Sequence, residues 1–79
     1  LAAKAKEGIN RLQRYVEIKI EQGIEAGEFK RSCDPTRIAS MMIIHLEGAI
    51  IMSRVSEDGQ HMRNAVSFLK DYVKASMVS

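Results

Sequence analysis

The side chains weighed first for catalysis or metal binding are two histidines, the single cysteine, and the charged residues Glu47 and Arg54 of an otherwise apolar stretch. His45 lies in an apolar run, and on a helix its nearest carboxylate, Glu47, points about 160° away. His61 follows Asp58 by three residues, but the sequence holds no Glu-x-x-His pair of the kind that builds metal sites in helical bundles. We therefore predict no metal site and a core or interface role for His45, with a ligand-sensing or pH-sensing role at a pocket wall as the lesser alternative.

Cys33 lies in a short polar segment beside Arg31 and Asp34. A nucleophilic or redox-active thiol needs an activating base close by, and one neighbouring cation does not supply it. The sequence also lacks a phosphate-binding glycine loop and an acyl-transfer motif. We expect no catalytic residue, no cofactor and no enzymatic activity. A single cysteine excludes an internal disulfide and is typical of a reducing, cytoplasmic compartment.

Three helices are predicted, at about residues 2–26, 35–55 and 59–77. Asp34 and Pro35 suit the N-cap and first position of the second helix. Gly27 suits a left-handed end of the first helix, with Phe29 folding back onto it. The turn at residues 56–59 separates the last two helices, with Asp58 or Ser56 as N-cap. Because the loops are short, the helices should be antiparallel neighbours in one all-α domain.

The second helix is apolar on nearly every side, which is the most informative feature of the sequence. Its polar positions form one narrow strip of Ser40, Glu47 and Arg54. The third helix is apolar over about 200°, twice the usual width. A chain of 79 residues cannot cover both helices by itself, so two copies should pair them in a two-fold four-helix bundle. The polar strip is then solvated, or its charges pair across the two-fold axis and fix the register.

Neither a membrane nor nucleic acid is indicated as a direct partner of these residues. The longest uncharged run of the second helix, residues 38–46, is far shorter than the roughly 20 residues that span a bilayer. The formal net charge is only +2, and no segment is strongly basic.

The order and spacing of several short motifs resemble the C-terminal regulatory domain of TetR-family transcriptional regulators. These motifs are Glu25-Ala26-Gly27-Glu28-Phe29, Asp34-Pro35 with Ile38-Ala39, Leu46-Glu47-Gly48-Ala49-Ile50-Ile51, and Ser53-Arg54-Val55. The resemblance implies that residues 1–79 are a single partial domain, whose last two helices dimerise. It also implies a small apolar effector and an N-terminal helix-turn-helix domain, outside this sequence, that binds operator DNA as part of a bacterial repressor.

Helical spacing selects the residues that should face the second copy. Gly48 costs about 0.5–1 kcal/mol in a helix interior relative to Ala, which a close helix crossing would explain. The predicted dimer interface comprises Met41, His45, Gly48, Ala49, Met52, Ala65, Phe68, Leu69, Tyr72 and Ala75. The predicted effector pocket comprises Leu12, Tyr15, Val16, Ile43 and Ile50.

A different class of protein remains open as an alternative. The same apolar helices would suit a helical protein–protein interaction module with neither DNA nor a small-molecule ligand. Upstream sequence discriminates between them, because the resemblance requires about 45–50 residues of helix-turn-helix pattern there. A small bundle enzyme would need a cofactor-binding motif that the sequence lacks.

Overall fold

The computed structural model describes residues 3–79, which fold into three consecutive α-helices. α1 spans Ala3–Glu25, α2 spans Pro35–Ser56 and α3 spans Gln60–Tyr72. A π-helical turn, Val73–Met77, follows α3 directly. The predicted all-α class and its three helices are confirmed. The predicted start at residue 2 lies outside the described residues, and the predicted third helix, 59–77, is α-helical only to Tyr72.

The end of α1 is fixed by a glycine in the left-handed region, as predicted. Gly27 has φ +78°. Its N–H donates to the carbonyl of Ile24 at 3.1 Å, and the N–H of Glu28 donates to the carbonyl of Gly23 at 2.9 Å. This pair of bonds is a Schellman motif, which satisfies carbonyls that the helix leaves free. Phe29 then turns back onto Gly23, also as predicted.

Side chains also set the limits of α2 and α3, although one predicted cap is wrong. The Asp34 carboxylate accepts from the N–H of Arg37 at 3.3 Å, which makes it the predicted N-cap of α2. The N-cap of α3 is Gly59 rather than Asp58 or Ser56. The Asp58 carboxylate still accepts the Gln60 N–H at 2.9 Å, whereas the Ser56 hydroxyl donates back into α2, to the Met52 carbonyl at 2.6 Å. The N-cap lies at Gly59 rather than at Asp58 because the backbone of Gly59 already has helical geometry.

The three helices form an open layer rather than a closed bundle. α1 packs on α2 and α2 packs on α3, while α1 and α3 do not pack on each other over the described residues. The layer measures 40 × 29 × 14 Å. Its radius of gyration is 13.9 Å, against about 11.6 Å for a compact domain of this length. The helices therefore leave large faces uncovered.

The core of the layer is correspondingly small. Its buried apolar side chains are Ile20, Ile38, Ala39, Ile43, Ala49 and Met77. No polar or charged residue is classed as buried within residues 5–79. Four of the six lie on α2, because α2 is the central helix and receives contacts from both neighbours. The way α2 packs between its neighbours determines which of its apolar residues remain exposed to solvent.

Candidate functional site

An exposed apolar ridge runs along α2 and is the main surface feature of the chain. We define the α2 ridge by its six members: Met41, Ile44, Gly48, Ile51, Met52 and Val55. Val55 is 81% exposed and Ile51 is 61% exposed. At 100° per residue the six positions fall within an arc of about 100°, and they extend for about 21 Å along the helix axis. Alternating steps of three and four residues are the spacing of a helix seam that meets another helix.

One flank of the α2 ridge is the polar strip that the sequence predicted. Ser40 and Glu47 are half-buried and Arg54 is exposed. Both ion pairs of the described residues belong to Arg14, which bonds Glu17 at 3.0 Å and Glu21 at 3.3 Å. Within this chain the strip is thus a partly solvated border, and pairing of its charges across a two-fold axis stays a prediction.

The other flank of the ridge opens into a groove between α2 and α3 of about 510 Å³. Met41, His45, Phe68 and Tyr72 line it, with Arg37 at the α2 N-terminal end. The rings of His45 and Phe68 stack with centroids 4.9 Å apart and an interplanar angle of 5°. The contact of His45 is thus aromatic rather than acidic, and no group of three metal-binding side chains occurs in the part of the chain that the structure describes.

The total solvent-accessible surface shows how much more area this chain exposes than a compact monomer of the same mass. The chain exposes 5,876 Å², whereas a compact monomer of 8.9 kDa exposes about 4,800 Å². The excess is about 1,000 Å², comparable with the roughly 800 Å² that each partner buries in a standard protein interface. Together with the α2 ridge, this excess shows that the described chain leaves an interface-sized apolar surface uncovered.

A second groove, of about 630 Å³, lies beside the C-terminal half of α1. We call it the α1 groove. Its apolar wall includes Val16, Gly23, Phe29, Val73 and Met77, and its rim carries Tyr15 and Lys19. The ammonium of Lys19 lies 5.4 Å from the centroid of the Tyr15 ring, a cation–π distance. Gln22 and Glu28 also line the groove, so a largely apolar wall is combined with a cation, a carboxylate, an amide and a phenol. This lining suits a small amphipathic molecule.

The α1 groove belongs to a different side of α2 from the ridge. Val73 also lines a neighbouring shallow depression that contains Leu46, Val66 and Leu69. Leu46 lies about 180° around α2 from Val55. The layer therefore presents two apolar surfaces, the α2 ridge on one side and these depressions on the other.

Most residues of the predicted dimer interface lie around the α2 ridge and its groove. Met41, Gly48, Met52, Phe68, Tyr72 and Ala75 are exposed, and His45, Ala65 and Leu69 are half-buried. Ala49 differs, since it is 6% exposed and packed inside the layer, where a second copy cannot reach it. Sequence reasoning missed Ile44, Ile51 and Val55, which the heptad spacing from Met41 through Gly48 would have found.

The predicted effector-pocket residues are divided by the structure. Tyr15 and Val16 line the α1 groove. Leu12 is exposed but is not part of the groove wall, Ile43 is buried in the core, and Ile50 is half-buried. Helical spacing alone did not indicate Phe29 and Met77, because they reach the groove from the α1–α2 loop and from the chain end.

α2 is also long and apolar enough, by length and composition alone, to cross a membrane. Its mean hydropathy is 1.5 over 18 residues, of which 22% are buried. The uncharged run at residues 38–46 is too short to span a bilayer, whereas the whole helix, with Glu47 and Arg54 included, passes this test. One such helix is weak evidence of a membrane span, because the core helix of a soluble protein passes the same test.

Comparison with known proteins gives two matches. The sequence model of the family described as tetracyclin repressor-like, C-terminal domain, matches residues 1–69. The fold is similar to the crystal structure of a TetR transcriptional regulator from Chloroflexus aurantiacus J-10-FL, with a TM-score of 0.86 and 24% sequence identity. This similarity covers 95% of the present chain and 38% of that one, so the chain spans well under half of its structural relative. Among curated proteins, no sequence matches.

Proposed function

Because the chain belongs to the family of tetracyclin repressor-like C-terminal domains, a family of regulators rather than enzymes, we propose that it dimerises and binds an effector for a transcriptional repressor. The observation that carries the proposal is the α2 ridge, an apolar seam exposed in the single chain. An apolar seam of this length on a soluble domain needs a partner.

The proposed partner is a second copy of the chain. A two-fold axis places identical ridges against each other, and α2 and α3 of each copy then form a four-helix bundle. The excess exposed surface of about 1,000 Å² is large enough for a standard interface. Gly48, in the middle of the ridge, has no atom within 4 Å of the position that a Cβ would occupy, so a second helix backbone can approach closely there.

The proposed effector site is the α1 groove. Tyr15 and Val16 contribute to its lining, which is mostly apolar and also includes Lys19, Gln22 and Glu28. An apolar or amphipathic small molecule fits this chemistry, with Lys19 and Tyr15 at the mouth able to bind a polar end. In the longer protein, further helices would close the groove from the open side of the layer.

Operator DNA would be bound by an N-terminal helix-turn-helix domain outside residues 1–79. Effector binding would favour a dimer in which the two DNA-binding heads are wrongly spaced for the half-sites, which requires different effector affinities in the two conformers. Such a repressor would act in the bacterial cytoplasm.

Sedimentation equilibrium tests self-association directly. The parent protein should be a dimer at micromolar concentration, and Gly48→Leu should weaken the dimer strongly, because a large side chain holds the two backbones apart. Ser40→Leu is the matched control, since it adds the same side chain on the polar strip. A folded monomer, or equal effects of both substitutions, would contradict the proposed interface.

The alternative is an interaction module whose α2 ridge binds a different protein. The same exposed seam favours it, because the seam by itself does not specify a copy of the chain. The two functions give different sedimentation results: the module stays monomeric when pure, and the regulator does not.

A further inference from the structure

The chain end after α3 is bound to the loop between α1 and α2. Val78 is extended and forms an isolated antiparallel bridge with Phe29. Two hydrogen bonds flank the bridge: the N–H of Lys30 donates to the Met77 carbonyl at 2.7 Å, and the N–H of Ser79 donates to the Glu28 carbonyl at 3.1 Å. We call residues 77–79 together with residues 28–30 the C-terminal clasp.

A buried methionine anchors the clasp to the core. Met77 is 1% exposed, and its side chain packs with Ile20 of α1 and Ile38 of α2. Phe29 and Val73 are partly buried against the same cluster. One side chain from the end of the third helix thereby contacts both other helices.

The π-helical turn brings Met77 to this position. The N–H of Val78 donates to the Val73 carbonyl at 3.1 Å, the i→i+5 bond that closes such a turn. A π turn is wider than an α turn, so it changes the direction in which the following side chains point.

The clasp is the direct link between α1 and the end of α3 in the described part of the chain. The two helices do not pack on each other, and both pack on α2. The Cys33 thiol, in the same loop as Phe29, also donates to the Met77 carbonyl at 3.8 Å. The clasp residues Phe29 and Met77 are also part of the wall of the α1 groove. A molecule bound in that groove would touch the clasp itself.

We propose that the C-terminal clasp couples the α1 groove to the self-association surface on α3. The proposal rests on the proposed function, because it connects the effector site to the dimer interface. A ligand that contacts Phe29 and Met77 together binds the closed clasp and stabilises it, which holds α3 in place. Such a ligand should strengthen dimerisation by some factor, and linkage then requires that dimerisation raises the affinity for the ligand by that same factor.

Gly23 allows the coupling to be tested without knowing the ligand. A Cβ at Gly23 would overlap the Phe29 ring, so Gly23→Ala displaces Phe29 from within the groove wall. Gly8→Ala is the matched control, because it makes the same change in the same helix and its Cβ meets nothing within 4 Å.

Hydrogen exchange followed by mass spectrometry is the measurement. Gly23→Ala should speed exchange about tenfold at the amides of residues 28–33 and also at 73–79, on the far side of the clasp. Gly8→Ala should leave both segments unchanged. Faster exchange confined to residues 28–33, or equal acceleration in all three helices, would overturn the coupling.

The reverse direction is tested by Ser79→Pro, which removes a donor from the bridge and leaves the core side chains intact. We expect faster exchange at Lys30, across the bridge.

Sedimentation of the same samples separates the two proposals. Gly23→Ala should weaken dimerisation about fivefold or more, and a parent-like dimer would overturn the coupling. A monomeric parent with linked exchange would instead contradict the proposed dimer and leave the clasp as a link between α1 and α3.

Discussion

Gly48→Ala is the most discriminating substitution because it should have opposite effects on the single chain and on the dimer. In the single chain the new methyl group meets nothing within 4 Å. Replacing Gly by Ala inside a helix stabilises it by about 1 kcal/mol. In the proposed dimer the same methyl group enters the closest approach of two helix backbones. Two methyl groups are added per dimer, each costing about 1–3 kcal/mol through overpacking.

The lower limit of that cost, about 2 kcal/mol in total, corresponds to a dimer dissociation constant about 30-fold higher. Sedimentation equilibrium measures this constant, and thermal unfolding at low concentration measures the stability of the monomer. Gly8→Ala is again the control, since it should stabilise α1 by a similar amount and leave the dissociation constant unchanged. If Gly48→Ala dimerises as tightly as Gly8→Ala, no second backbone lies close to Gly48.

Three further predictions concern the exposed surface and the end of α1. Ile51→Glu should abolish the dimer while changing monomer stability by less than about 0.5 kcal/mol, and Thr36→Glu, also on an exposed position of α2, should leave the dimer intact by sedimentation. Tyr15→Phe leaves Tyr72 as the single tyrosine, and Tyr72 should become less accessible to a fluorescence quencher as protein concentration rises, because it lies in the predicted dimer interface. Tyr72→Phe leaves Tyr15, whose accessibility should not change with concentration. Gly27→Ala should lower the free energy of unfolding by about 1 kcal/mol, because φ at this position is +78°; an unchanged urea midpoint would contradict this.

Local chemistry made the helix ends predictable, although not every cap. Asp34, Pro35 and Gly27 each have a side chain or backbone preference that acts within a few residues, and all three lie where the sequence predicts. Asp58 fails as an N-cap because the chain enters α3 one residue later, at a glycine in helical conformation. The predicted start of α3 is wrong by only one residue, because a helix cap is chosen among the few residues of one short turn.

The orientation of α2 could not be obtained in the same way. Periodicity identifies the buried side of a helix by contrast between apolar and polar residues, and α2 offers such contrast only at its narrow polar strip. Ala49 was therefore predicted to face a second copy although it packs inside the layer. The clasp could not be predicted for another reason: its bridge joins Phe29 to Val78 through tertiary packing, and neither residue lies in a run of strand-forming residues.

The apolar composition of α2 follows from the two surfaces that this helix must serve. Its inner side holds the neighbouring helices through Ile38, Ala39 and Ile43, and its outer side carries the α2 ridge. A substitution on the inner side should lower the stability of the chain, while one on the ridge should alter association and spare the fold. Because α3 contacts α2 and is also fastened to the α1–α2 loop by Met77, its position depends on both. In the proposed regulator, the groove beside α1 can therefore influence the dimer without touching any residue of the ridge.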